Sequence, residues 1–239
     1  MTYAMRTMAA AAIVVAASAP ALAQTGAPAD RPLFVDISAG IGAKPSTLTT
    51  ATTFTVFGED GIAATKMAPG TSGLADLRIG YHVTPRVAIA GAFSGGQSTV
   101  AAATSASVPS PVRFASPTVV SLQVPDSRRR EFGLHLQALY ALPLGSAVTL
   151  TFAGGPSFVH LQQGVPNVNI AGSTPTVVSV NESGNGVGAN VGADLSTFFA
   201  ERYGLGMFVR YVATSIDLPS ASAVKAGGLQ VGGGLRLRF

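Results

Sequence analysis

The amino-acid sequence predicts an all-β fold, an eight-stranded antiparallel up-and-down barrel that crosses a membrane with its strands. Three observations carry this prediction. Mean hydropathy is +0.41 while charged residues make up only 11% of the chain, less than half the share usual in globular domains. The one apolar run near helical length, 9–23, is too short to span a bilayer comfortably. Eight segments of period-2 alternation follow it, joined by alternately short and long connections. High hydropathy without a spanning helix leaves a closed barrel, because lipid offers no partner to an unpaired backbone group.

Residues 1–23 read as a Sec-type signal peptide, with Arg6 ahead of the apolar run and Ala21, Leu22 and Ala23 forming a small-x-small cleavage site before Gln24. A short periplasmic segment, 24–32, then precedes the barrel, 33–239. Cysteine is absent, which excludes disulfides, thiolate metal sites, a thiol nucleophile and an acylated lipoprotein anchor. The net charge of +4 falls by one when Arg6 leaves, and the excess is small and scattered. No nucleic-acid partner is expected.

The first strand is expected at 33–43, with Leu33, Val35, Ile37, Ala39 and Ile41 on one face and Phe34, Asp36 and Ser38 on the other. The second, 74–83, sets Leu77, Ile79 and Tyr81 against Asp76 and Arg78; the third, 87–95, sets Val87, Ile89 and Phe93 against small residues. In the fourth, 131–142, Phe132, Leu134 and Leu136 alternate with Glu131, Gly133, His135 and Gln137. The fifth (147–158), sixth (186–198) and seventh (203–212) place Asn190, Asp194 and Arg210 among the residues opposite the apolar stripe. The last, 229–239, alternates Leu229, Val231, Leu235, Leu237 and Phe239 with Gln230, Arg236 and Arg238. Each run is about 10 residues, enough for a tilted strand to cross hydrocarbon.

The turns at 84–86, 143–146 and 199–202 are tight, whereas 44–73, 96–130, 159–185 and 213–228 are long and rich in Ser, Thr, Ala and Val. Short turns facing the periplasm and long connections facing outward fit an outer-membrane barrel with both termini inside. The long connections contain β-prone stretches, so hairpins above the membrane and low-complexity loops both remain open. Aromatics gather at strand ends, with Tyr81, Tyr140, Phe198, Tyr203 and Phe239 at the inner interface and Phe93, Phe132, Phe158 and Tyr211 at the outer. Phe34 breaks that parity and is expected to plug the lumen. A soluble barrel would show Lys, Glu and Asp on its polar face. Here that face is mostly Gly, Ala, Ser and Thr, and the segments contain no Lys, so the apolar face is the lipid face.

These features resemble the small outer-membrane β-barrel proteins of the OmpA, OmpX and OmpW type. The resemblance covers 33–239 as architecture. It implies a Gram-negative outer-membrane location. The last strand ends the sequence, so the periplasmic peptidoglycan-binding domain of full-length OmpA is not expected. The resemblance also implies that Leu235, Leu237 and Phe239 form the C-terminal signal read by the barrel-assembly machinery, with periplasmic chaperones acting earlier.

Asp36, Asp76, Arg78, Glu131, His135, Asp194, Arg210, Arg236 and Arg238 are expected to share one narrow lumen, together with Gln137 and Gln230. They would either pair with one another as a plug or line a polar pathway, since an unpaired buried charge is costly. Arg128, Arg129 and Arg130 open the fourth strand at the outer rim, where they would clamp lipopolysaccharide phosphates or pin the strand end. Outer-membrane lipid A deacylases share this size, but none of His82, His135 and His160 shows the Ser and carboxylate neighbours of a triad. No metal spacing, phosphate loop or cofactor motif is present, so no cofactor and no catalysis are expected. The functional expectation is a structural, surface-displaying barrel that offers its outer connections to an unknown external ligand. The alternatives are a small passive channel and, third, a lipid-modifying enzyme.

Overall fold

The computed structural model describes residues 31–239 apart from 44–46, 111, 114–115, 124–126, 146 and 172–173. The signal peptide 1–23 and most of 24–32 lie outside the described residues. The strands are β1 (Leu33–Ala43), β2 (Leu48–Val56), β3 (Glu59–Pro69), β4 (Ser72–His82), β5 (Val87–Val108), β6 (Thr118–Gln123), β7 (Ser127–Pro143), β8 (Val148–Ala171), β9 (Thr174–Phe198), β10 (Tyr203–Leu218) and β11 (Ala221–Arg238). Eight of them close a ring in the order β1-β4-β5-β7-β8-β9-β10-β11 and back to β1, every pairing antiparallel. All eight expected segments map onto this ring, with Val83, Ala147 and Phe239 just outside the strands, and short connections join β4 to β5, β7 to β8 and β9 to β10.

Closure is made by β1 and β11, which pair from Phe34 opposite Arg238 to Ala43 opposite Leu229. The two backbones come close at the middle of this seam, where the inward positions Gly40, Gly232 and Gly234 lack side chains. A Cβ on Gly234 or Gly40 would collide with the carbonyl oxygens of Ile37 and Val231. These glycines serve close packing, as their clustering predicts.

Alternation fixes which residue meets lipid. Ile37, Ile79, Ile89, Leu134, Leu136, Val191, Met207 and Leu235 are exposed on the barrel wall, while their neighbours in sequence point inward. Phe93 and Phe132 stack with ring centroids 6.3 Å apart at the outer belt. Phe198 departs from its expected place in the inner belt: it shares the inward parity of Asp194 and lines the periplasmic mouth.

The long outer connections are mostly strand, so the hairpin alternative is the one the chain adopts. β9 has 25 residues, of which only about 10 are needed to cross hydrocarbon. Above the membrane β5 pairs with β3 and with β6. β3 pairs in turn with β2 around a tight turn in which Phe57 and Gly58 have φ of 53° and 78°. Positive φ at both central residues is the type I′ geometry that matches strand twist. The upper parts of β8 and β9 form one long hairpin. Expected strand ends at 95, 158 and 212 are therefore corrected to Val108, Ala171 and Leu218.

In this upper part the alternation changes meaning. On β10, Tyr211 and the residues below it send apolar groups outward, but above it Ser215 and Asp217 are exposed while Val212, Ile216 and Leu218 are buried. β8 does the same, with Phe158 outward below and Gln162 outward above, where Val159, Leu161 and Val165 turn inward. These inward residues join Met67, Val100, Val224 and Ala226 in one apolar core. A wall standing in water must bury what a wall in lipid exposes.

Candidate functional site

The lumen is filled in successive layers. At the periplasmic mouth Phe34 is 7% exposed and packs with Ala88, Ala90, Leu139 and Ala153. Its ring lies over Gly80, directly opposite on β4, where a side chain would have no room. The guanidinium of Arg238 sits 3.5 Å from the centroid of the Phe198 ring. A vestibule of about 500 Å³, much of it open to solvent, occupies this mouth and has Asp36, Arg78, Asp194 and Arg236 at its floor.

That floor is an ion-pair network set by strand register. Asp36 stands between Arg78 on β4 and Arg236 on β11, its cross-strand partners. Arg78 Nε donates to Asp36 Oδ2 at 2.7 Å, and its Nη2 lies 3.3 Å from Asp194 Oδ2. Arg236 reaches across β10 to Asp194 at 2.5 Å and donates from Nη1 to Ser38 Oγ at 2.9 Å. Gly206 on β10 permits that reach, since a Cβ there would stand 2.6 Å from Arg236 Nε. Next to this group Arg210 pairs with Asp76 at 2.5 Å and donates to Gln230 Oε1 at 2.8 Å.

A neutral hydrogen-bonded layer follows. Gln137 Nε2 donates to Asn190 Oδ1 at 2.7 Å, and Asn190 Nδ2 donates to Ser157 Oγ at 2.9 Å. His135, 1% exposed, is held between Ser157 Oγ at Nδ1 (2.8 Å) and Ser94 Oγ at Nε2 (2.9 Å). Both ring nitrogens are therefore occupied by hydroxyls, and no carboxylate orients the ring as a catalytic base requires. The serines were not legible as its neighbours, because they arrive from β5 and β8. His160 faces outward and pairs its Nδ1 with Asn185 Oδ1 at 2.7 Å.

Above this layer Arg129 is 2% exposed. It donates to Glu131 Oε1 from Nε at 2.8 Å, to Gln163 Oε1 at 2.9 Å and to the Lys225 carbonyl at 2.8 Å. The apolar core of Met67, Val100, Leu161, Val212, Ile216 and Val224 then caps the outer end.

The structure thus brings Asp36, Asp76, Arg78, Asp194, Arg210 and Arg236 together and places Glu131 and His135 in layers beyond them. Arg238 lines the same vestibule as Asp36 and Arg236, as expected of a lumen residue, but it lies over Phe198 and makes no ion pair among the described residues. One expectation is corrected. Arg129 cannot reach lipopolysaccharide, because it shares the inward parity of Glu131 two residues on. Only Arg128 and Arg130 face outward. That split was readable from the alternation, had it been extended two residues upstream.

Leu235 and Phe239 are exposed at 47% and 55%, and the Phe239 N–H donates to the Leu33 carbonyl at 2.8 Å. The chain end is thereby tied to the first strand.

Comparison with known proteins gives a consistent placement. Among curated protein sequences, none matches this chain. Its fold is similar to that of Neisserial surface protein A, with 11% identity, TM-score 0.45, and 87% of this chain and 97% of that one covered. It is also similar to the outer membrane protein OprG of Pseudomonas aeruginosa, with 11% identity, TM-score 0.47, and coverage of 87% and 96%. Ail, the attachment invasion locus protein of Yersinia pestis, is similar at 12% identity, TM-score 0.42, and coverage of 86% and 99%. The family model described as outer membrane protein beta-barrel domain matches residues 9–236. The chain belongs to that family, and the protein is a bacterial outer-membrane β-barrel.

Proposed function

We propose that this protein is a closed barrel whose role is to hold a β-rich structure at the cell surface, where an external ligand engages it. The observation that supports the reading is the stacking of filled layers: ion pairs, then the His135 network, then an apolar cap in which Met67, Val100 and Leu161 are 0% exposed. Smaller polar cavities continue from the vestibule past Asp76, Gln137 and Arg210 and beside His135 and Glu131, but ions face a desolvation barrier at the apolar cap beyond them. The same packing opposes the passive-channel reading. The hydroxyl-bound, buried His135 opposes a lipid-modifying one. Assembly follows the last strand, whose outward Leu235 and Phe239, with Leu237 between them, form the surface for the barrel-assembly machinery after periplasmic chaperones deliver the chain. Refolded protein in planar bilayers is expected to show no stable conductance. Steady openings of large amplitude would overturn the proposal.

A further inference from the structure

Two arginines on the outer wall have no ion-pair partner among the described residues. Arg128 and Arg130 point outward from β7 and are exposed, and neither makes an ion pair among the described residues. Arg129 between them is wholly engaged inside. No carboxylate shares the outward face of β5, β7, β8 or β9, since Glu131, Glu182 and Asp194 all have the inward parity.

Their height on the wall is defined. Arg130 lies one outward position above Phe132, whose ring stacks on Phe93 at the outer belt. Its cross-strand neighbours are Gln97 on β5 and Gln162 on β8, both exposed. Thr99 lies opposite Arg128. A stacked pair of rings at the outer interface thus carries, directly above it, two guanidinium groups flanked by amide and hydroxyl donors.

We infer that this surface binds the phosphate-bearing headgroup of the outer-leaflet glycolipid, lipopolysaccharide. Guanidinium forks match phosphate oxygens bidentately, and such charge-assisted bonds are about twice as strong as neutral ones. The acyl chains run down over Phe132 and Phe93 while the phosphates sit at Arg128 and Arg130. An exposed arginine here costs little, because the penalty on the lipid face falls to about 0–1 kcal/mol near the interface. The site is independent of whether the lumen conducts.

The test uses the full barrel refolded in detergent free of lipopolysaccharide and placed in nanodiscs. The lipids are bis-phosphorylated lipid A, its dephosphorylated form and phosphatidylglycerol, with retained lipid counted by native mass spectrometry. Wild type is expected to retain bis-phosphorylated lipid A about tenfold over the dephosphorylated form. The folded Arg128→Ala/Arg130→Ala variant is expected to lose that preference, and Arg128→Lys/Arg130→Lys to keep part of it. Arg86→Ala/Arg202→Ala, at the opposite rim, removes the same charge and is expected to change nothing. Heat-modifiable gel migration reports folding of each variant. An undiminished preference in either folded Arg128/Arg130 variant overturns the inference, as does equal enrichment of phosphatidylglycerol, which would mark a general anion surface. Loss of preference in the Arg86/Arg202 variant overturns it as well.

Discussion

Below Phe132 and Tyr211, β7 and β10 send Leu134, Leu136, Met207 and Val209 outward and His135, Gln137 and Arg210 inward. Above those rings the same two strands send Arg130, Arg128, Ser215 and Asp217 outward, and β10 turns Val212, Ile216 and Leu218 inward. One continuous hydrogen-bonded wall is therefore inside-out in its lower half and ordinary in its upper half. The lower interior is held by directed bonds between charges and amides, which have one satisfying arrangement. Apart from the buried Arg129, Glu131 and Gln163 group, the upper interior is held by apolar burial, which is non-directional and tolerates exchange. Solvent identity, rather than backbone geometry, decides which chemistry fills the barrel.

The sharpest way to break the contrast is to orphan a charge below. Arg236→Ala leaves Asp194 and Asp36 short of a partner in a site where all three are at most 5% exposed. Removing one member of a buried pair costs about 3–5 kcal/mol, to be read from urea unfolding in micelles. Replacing Arg236 with Met and Asp194 with Leu together is expected to restore most of that stability, and a double variant as weak as the single one would show that the loss does not come from the orphaned carboxylate. The next test compares two heights on one strand. Met207→Arg, on the lipid face midway between Tyr203 and Tyr211, is expected to cost about 2–4 kcal/mol, while Ser215→Arg costs about 0–1 kcal/mol. Equal costs would place the membrane boundary elsewhere. The smallest effect belongs to the neutral layer. Ser157→Ala removes the Nδ1 partner of His135 and a bond from Asn190, for a loss of about 1–3 kcal/mol as a buried group is left unsatisfied. Ser94→Ala, which removes one bond, is expected at the low end of that range.

The inversion also explains what was legible beforehand. The expected strands at 147–158 and 203–212 stop at Phe158 and Val212, where the apolar parity switches. A period-2 reading that follows apolar residues must lose a strand at that point, although the strand continues. The lower lumen was readable because one face there is mostly polar or small, with Phe34, Leu139 and Phe208 as exceptions. Cross-barrel partners such as Ser94 and Ser157 around His135 were not, since alternation reports a face and not a height. Arg129 was misassigned for the converse reason: three arginines in a row look like one patch, but a strand divides them between two solvents. The β2–β3 hairpin escaped because Thr-rich β2 carries little contrast between its faces.

The glycine-lined seam between β1 and β11 has a kinetic consequence. Pairing Phe34 with Arg238 gives the barrel a contact spanning nearly its whole sequence, and such contacts slow folding because a large loop must be closed first. Until that step both edges carry backbone groups that hydrocarbon cannot satisfy. Partial barrels therefore gain little from entering the bilayer, and insertion and closure become a single cooperative event. At Gly40, Gly232 and Gly234 the two edges meet with no side chains to rearrange, while Asp36 and Arg236 come opposite one another only in the correct register, so closure and register selection are one step.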